Sequence, residues 1–161
     1  MNKAVVIRDL DRSRELVLPF FDDPPALLRR SYAPGKWSQQ EILAHLSDSE
    51  VVWQARARHI LAEPGCPIAP FDQDRWARTL LYPQRSVPLM RRLFVTCRDG
   101  LIELVDLLPE AIFGREGKHP DHPSYRAWDI VTKAATHTMH HYGQLVAIRD
   151  GVPWLSPAPP G

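Results

Sequence analysis

Proline-rich segments separate this chain into stretches whose apolar residues recur at the spacing of an α-helix. These segments fall between the helical stretches rather than within them, and they therefore mark connections. A length of 161 residues suits one domain with a sizeable core. The pattern predicts an all-α fold, a four-helix bundle with long proline-rich connections.

The sequence predicts four principal helices, and the start of the second is the best-specified boundary. Ser38 and Glu41 form a Ser-x-x-Glu capping box, in which each side chain satisfies a backbone donor at the start of the helix. At the other end of the chain, Gly151 supplies a left-handed cap for the last helix, and Pro153 prevents the helix from continuing. The predicted helices cover residues 7–21, 38–63, 86–108 and 124–150.

The core residues and the limits of the domain follow from the same pattern. The third helix is expected to bury a row of leucines: Leu89, Leu93, Leu101, Leu104 and Leu108. One bundle domain is expected over residues 1–152. Residues 153–161 have no core-forming content, and we expect them to form a mobile C-terminal tail.

The charge balance and the cysteine content exclude several classes of function. The net charge is +1, so no excess of positive charge attracts a phosphate backbone or an anionic lipid. Cys66 and Cys97 have no neighbour at metal or redox spacing, which argues against a disulfide framework. No apolar run approaches the length of a membrane span. Charged residues also occur too close to the N-terminus to leave room for the apolar core of a signal peptide. We expect no nucleic-acid or membrane partner and a cytoplasmic location.

Three histidines lie on or beside apolar helical faces, so that they can converge inside a bundle. His137 and His141 are four residues apart and share the buried stripe of the last helix at 100° per residue. His45 faces inward near the border of the apolar stripe of the second helix. His140 points about 100° away from His141, and His59 lies roughly 21 Å further along its helix than His45. Neither of these two is expected to join the cluster.

A metal site and a set of satisfied core histidines are both compatible with this pattern. Three inward imidazoles favour the metal site, because each buried imidazole needs a partner. A zinc-protease site is excluded because Thr138 follows His137, where the motif His-Glu-x-x-His requires a glutamate. The absence of a Gly-rich phosphate loop and of a Gly-x-Ser-x-Gly elbow excludes the usual nucleotide-binding and serine-hydrolase motifs.

Three segments of the chain resemble the DinB-like superfamily of metal-binding four-helix bundles. Two of them carry the histidines: residues 34–50, PGKWSQQEILAHLSDSE, and residues 137–145, HTMHHYGQL. The third, residues 67–76, PIAPFDQDRW, resembles the corresponding loop of the YfiT-like branch. The resemblance covers nearly the whole chain, and the two histidine motifs are specific when they occur together in this order.

This resemblance implies a divalent metal, most often zinc or nickel, held by His45, His137 and His141. It also implies a homodimer as the common assembly. Characterised members include transferases that use bacillithiol, mycothiol or glutathione as the thiol, and other members are named metal-dependent hydrolases. The resemblance therefore implies a small-molecule substrate.

The chemistry expected of such a site follows from its ligands. Three neutral imidazoles leave the ion its full double charge and an open position, which is the pattern of catalytic zinc. We expect an enzyme in which the metal activates a low-molecular-weight thiol for transfer to an electrophilic small molecule. Two alternatives are a hydrolase that uses metal-bound hydroxide and a noncatalytic bundle that binds a metal or a small ligand. No catalytic group is identifiable beyond the metal itself.

Four further residues are candidates for contacts with the substrate or with the metal ligands. Arg56 faces inward, and a buried arginine needs either an acidic group of the substrate or an internal salt bridge with Asp72, Asp74 or Glu103. Asp48 is placed to accept a hydrogen bond from an imidazole, with a solvated helix face as the alternative. Gln144 is a candidate for the same role or for a bridge to a neighbouring helix. Trp76 either lines the cavity or belongs to the core or a dimer interface.

Overall fold

Four long α-helices pack side by side in the computed structural model, which describes residues 2–155. This arrangement confirms the predicted four-helix bundle. Among the described residues, none of the helices combines the length and the apolar character that a membrane span requires. Residues 156–161 of the predicted tail lie outside the described residues. In chain order the elements are α1 (Lys3–Val17), α2 (Pro25–Leu28), α3 (Gln39–Ala62), α4 (Gln73–Thr79), α5 (Val87–Leu107), β1 (Glu116–His119), β2 (His122–Arg126) and α6 (Ala127–Asp150).

Capping residues set the ends of the long helices. The Ser38 backbone N–H donates to Glu41 Oε2 at 2.8 Å, and the Glu41 backbone N–H donates to Ser38 Oγ at 3.3 Å, so the predicted capping box of α3 is confirmed. Gly151 follows α6 with a φ of 70°, in the left-handed region that favours glycine. The first helix begins earlier than predicted because the side chain of Asn2 caps it, and it is followed by a 3₁₀ turn at Leu18–Asp22.

Two apolar clusters fill the bundle, and a polar layer lies between them. One cluster joins the N-terminal parts of α1 and α6 to the C-terminal parts of α3 and α5, and the other joins the opposite ends of these helices. Between the clusters each long helix contributes a buried polar side chain: Ser13, Glu50, Arg98 and Thr138. Arg98 donates to the two carboxylate oxygens of Glu50 at 2.6 and 2.8 Å. It also donates to the hydroxyls of Ser13 and Thr138 at 2.6 and 2.8 Å.

The buried face of α5 differs from the predicted row of leucines. Leu101 is buried as predicted, but Leu89 is 58% exposed and was placed on the wrong face. Instead, the face of α5 that contains Arg98 points into the bundle, because Glu50 compensates the charge of the arginine there. The buried residues of α5 are Met90, Phe94, Cys97, Arg98, Leu101 and Val105.

The connection between α5 and α6, predicted as a loop, contains an antiparallel β-hairpin. The loop after α3 docks on it, and the Ile68 backbone N–H donates to the carbonyl oxygen of Lys118 at 2.8 Å. Gly117 packs so closely that a Cβ at this position would lie 2.8 Å from Ile68 and 2.9 Å from Ile60. Only glycine fits there without displacing its neighbours. These contacts hold the segment that leads to Phe71 against the bundle.

Candidate metal centre

Three imidazoles meet inside the bundle, one from α3 and two from α6. One ring nitrogen from each of His45, His137 and His141 lies within 4.8 Å of the other two. Nε2 of His45 and Nε2 of His137 are 3.0 Å apart. His45 is fully buried, His141 is 6% exposed, and His137 is half-buried. The structure therefore brings together the three histidines that the sequence singles out.

The positions of these histidines follow from the local helix geometry. On α6, His137 and His141 lie one turn apart on the same buried face. On this face, Ala134 precedes them and belongs to one apolar cluster, and Leu145 follows them and belongs to the other. The histidines therefore occupy the gap between the clusters, where the bundle already tolerates polar side chains. On α3, His45 lies two turns after the capping box that fixes the start of the helix.

Burial keeps the three imidazoles neutral. It lowers the pKa of His45 to about 3, and repulsion from the neighbouring histidines adds to this effect. Burial likewise lowers the pKa of His141 to about 4, although the hydrogen bond to Gln144 opposes the shift. The pKa of His137 is lowered as well, by burial first and by the other histidines second. A neutral imidazole offers the nitrogen lone pair that a metal ion requires.

Among the residues that the structure describes, only one of the three imidazoles has a partner for its second nitrogen. His141 Nδ1 donates to Gln144 Oε1 at 2.7 Å, which leaves the lone pair on Nε2. Among the described residues, no group forms a hydrogen bond with the buried Nδ1 of His45 or of His137. Two Nε2 atoms lie 3.0 Å apart and no carboxylate of the described residues joins their cluster, an arrangement that fits a shared cation better than a satisfied polar core. The three side chains thus fit a divalent metal ion.

Aromatic side chains surround the cluster. The Trp37 ring lies 5.0 Å from the His45 ring, and the Phe71 ring lies parallel to the His45 ring at 5.9 Å. The Trp53 ring packs against the His137 ring at 5.8 Å. Trp76 packs its ring against Phe71 at 4.7 Å, so this candidate supports a cavity wall instead of contacting a histidine. The aromatic rings limit the access of water to the cluster.

Two neighbouring cavities border the histidine cluster. The larger, about 690 Å³, is lined by His137, His141 and Gln144. The smaller, about 450 Å³, is lined by His45 and His137. Both cavities also contact Lys133, which lies one turn before His137 on α6. Each volume is within the range of small-molecule sites.

Arg56 lines the smaller cavity. The sequence left two roles open for it, and the internal salt bridge is not formed with any described residue. Its guanidinium donates to the carbonyl oxygen of Ala69 at 2.6 Å and to the hydroxyl of Tyr125 at 3.4 Å. It also lies over the Trp53 ring, with Cζ 5.3 Å from the ring centroid. No carboxylate among the described residues forms an ion pair with it, and Arg56 is 8% exposed.

Asp48 lies away from the imidazoles. Its side chain is buried, so it does not lie on a solvated helix face, and it accepts a hydrogen bond from Arg85 at 2.6 Å. The structure therefore places Asp48 in an ion pair instead of behind a metal ligand. His59 and His140 are exposed, and the His140 ring packs against Trp154 at 4.8 Å.

Several residues around the cluster were not identified from the sequence. The place of Lys133 beside the cluster could have been predicted, because Lys133 precedes His137 by four residues and therefore shares its helix face. The place of Trp53 could have been predicted from its helical spacing too, because Trp53 follows His45 by eight residues. Phe71 has none, since its place depends on the hairpin that holds its loop.

The comparisons with known proteins agree with this description. The sequence model of the DinB superfamily matches residues 9–145. A protein of Geobacillus thermodenitrificans is 29% identical over 136 residues, which cover 79% of this chain and 72% of that relative. A protein of Bacillus mycoides is 22% identical over 153 residues, which cover 94% and 79%. Both names contain the words "putative metal-dependent hydrolase".

A solved structure has the same fold. It is YfiT from Bacillus subtilis, described as "a probable metal-dependent hydrolase with an unusual four-helix bundle topology". The TM-score is 0.84, and the match covers 93% of this chain and 88% of that chain at 20% sequence identity. At this identity the likeness shows the fold alone.

Proposed function

Because this chain belongs to the DinB superfamily, we propose that it is a metal-dependent enzyme that acts on a small electrophilic molecule. One observation carries the proposal: three neutral imidazoles converge where two cavities meet. His45, His137 and His141 are the proposed metal ligands. Zinc and nickel are the proposed metals, because both accept imidazole nitrogen. Residues 1–152 are proposed to act as one domain.

The ligand set determines the kind of chemistry. A divalent ion held by three neutral histidines keeps its double charge and lowers the pKa of a water or thiol that joins it. Gln144 holds the His141 ring in the orientation that directs Nε2 into the cluster. The aromatic rings of Trp37 and Phe71 cover His45 and lower the local dielectric constant. Lys133 places a positive charge beside the histidines, where it attracts anionic reactants.

Hydrolysis is the first candidate reaction. The names of the curated relatives support it, as does the catalytic type of the ligand set. In this reaction, the oxygen of water forms a bond to the electrophilic carbon, the bond from that carbon to the leaving group breaks, and the proton lost by water departs with the leaving group.

Thiol transfer is the second candidate, and the two cavities are the observation that favours it. His137 borders both cavities, so each of two reactants can occupy its own cavity next to the cluster. A sulfur–carbon bond forms, the bond from carbon to the leaving group breaks, and the S–H proton departs with the leaving group. The homodimer and the cytoplasmic location expected from the sequence remain predictions.

A paired assay tests this function. The purified protein is reconstituted with zinc or nickel and assayed for hydrolysis of 4-nitrophenyl acetate and for conjugation of monochlorobimane with cysteine. We expect at least one of the two activities to require the metal, to disappear with a chelator and to be lost in His45→Ala. The matched control His59→Ala changes an exposed histidine of the same helix and should retain the activity. If neither activity depends on the metal, the assay contradicts catalysis of these two reaction types.

A further inference from the structure

Arg56 is a buried cation that forms no ion pair with a carboxylate of the described residues. Its two hydrogen-bond acceptors, the Ala69 carbonyl and the Tyr125 hydroxyl, are both neutral groups. The other buried arginine of the bundle, Arg98, has the carboxylate of Glu50 at 2.6 Å. Since burying a guanidinium without an anion is costly, the position of Arg56 needs a further explanation.

The same guanidinium opens into the cavity that contains two of the proposed metal ligands. The smaller cavity is lined by Arg56, His45 and His137 together. The Trp53 ring contacts both groups, with its centroid 5.3 Å from Arg56 Cζ and 5.8 Å from the centroid of the His137 ring. Because one indole ring contacts both the cation and a proposed metal ligand, one small molecule can reach both.

The charges around this cavity favour a monoanion with a planar acidic group. A guanidinium matches a carboxylate with two parallel N–H donors. Asp72, Asp121 and Lys133 also line the cavity, but all three are exposed, so solvent screens their charges more than that of the buried Arg56.

We propose that the cavity beside Arg56 selects small molecules that carry a carboxylate, which Arg56 binds while the reacting group lies at the histidine cluster. The proposal rests on the proposed function, since it assigns the substrate class of the same site. Trp53 lines the same cavity and contacts both Arg56 and His137.

Thiol probes of equal length test this selectivity. The cobalt-loaded protein is titrated with 4-mercaptobutanoic acid and with the neutral 4-mercaptobutan-1-ol, and the sulfur-to-cobalt absorption band reports binding. We expect the acid to bind at least tenfold more tightly than the alcohol. Arg56→Gln should reduce this ratio to about one, whereas Arg56→Lys should retain part of it. The control Arg58→Gln, an exposed arginine of the same helix, should leave the ratio unchanged.

A second titration separates this inference from the metal proposal. Metal-free protein is titrated with butanoate, a monocarboxylate, and tryptophan fluorescence is recorded because Arg56 lies on the Trp53 ring. We expect saturable quenching in the wild type and at least tenfold weaker binding in Arg56→Gln, with both variants checked for native circular dichroism. Failure of cobalt to bind would contradict the proposed function alone. An acid-to-alcohol ratio or a butanoate affinity that is the same in wild type and Arg56→Gln would overturn the carboxylate site.

Discussion

His141 and Gln144 lie one turn apart on the same helix, and His141 Nδ1 donates a 2.7 Å hydrogen bond to Gln144 Oε1. This bond fixes both the orientation and the tautomer of one imidazole. The Nδ1 atoms of His45 and His137 have no such partner among the described residues. Gln144 is therefore the one described side chain that holds a ring of the cluster through its second nitrogen.

Replacing Gln144 should weaken metal binding without unfolding the protein. In Gln144→Ala the His141 ring loses its anchor, and we expect the affinity for zinc to fall by about 10- to 100-fold. Competition with a chromophoric chelator measures this affinity. Gln54→Ala is the matched control, because Gln54 donates to the Cys97 carbonyl and does not contact the cluster. Equal zinc affinities in the wild type and Gln144→Ala would contradict the anchoring role.

The ion pair between Arg98 and Glu50 should dominate the stability of the bundle centre. Arg98→Met leaves the Glu50 carboxylate buried without a cation, and we expect a loss of about 3–5 kcal/mol in the free energy of unfolding. Denaturant unfolding monitored by circular dichroism measures it. The double variant with Glu50→Leu should recover part of the loss, because it removes the uncompensated charge. A double variant less stable than Arg98→Met would show that the pair itself is not the cause.

The two serine caps should differ in their effect on stability. Ser38→Ala removes a hydroxyl that caps α3, and we expect it to destabilise the protein by about 1 kcal/mol. Ser86 occupies the same position before α5, but its side chain makes no capping hydrogen bond, so Ser86→Ala should have a smaller effect. Thermal unfolding of both variants makes the comparison, and an equal loss in the two would contradict it.

Acid should destabilise the metal-free protein through its buried histidines. The pKa values of His45 and His141, about 3 and about 4, lie below the unfolded-state value of about 6.5. The unfolded chain therefore binds more protons, so stability is fully present above pH 6.5 and is lost as the pH falls towards 4. Each imidazole contributes a slope of about 1.4 kcal/mol per pH unit. Denaturant unfolding between pH 7 and 4 measures the slope, which should be smaller in His45→Leu.

Local sequence signals predicted the elements that depend on a few neighbouring residues. The α3 start followed from Ser38 and Glu41, and the α6 end followed from Gly151, because each cap is a property of one helix terminus. The inward orientation of His137 and His141 followed from helical angles alone. These signals were enough to indicate the bundle and its histidine cluster.

Features that depend on residues far apart in the sequence could not be predicted from local sequence patterns. The burial of Arg98 requires Glu50, which lies 48 positions away, and nothing in the local pattern of α5 indicates the pair. Asp48 was expected either to accept a hydrogen bond from an imidazole or to lie on a solvated helix face, yet its buried side chain pairs with Arg85, which lies 37 positions away. The hairpin strands are short and contain glycine, proline and histidine, so they lack the alternating pattern that indicates a strand.

The metal content of the purified protein tests the central claim most directly. Protein prepared without a histidine tag is analysed by mass spectrometry, together with His45→Ala, His137→Ala and the control His59→Ala. We predict about one zinc or nickel ion per chain in the wild type and in His59→Ala, and a loss of that ion in the other two variants. A wild type that binds no divalent metal even after reconstitution would contradict the claim and make these residues packed core histidines.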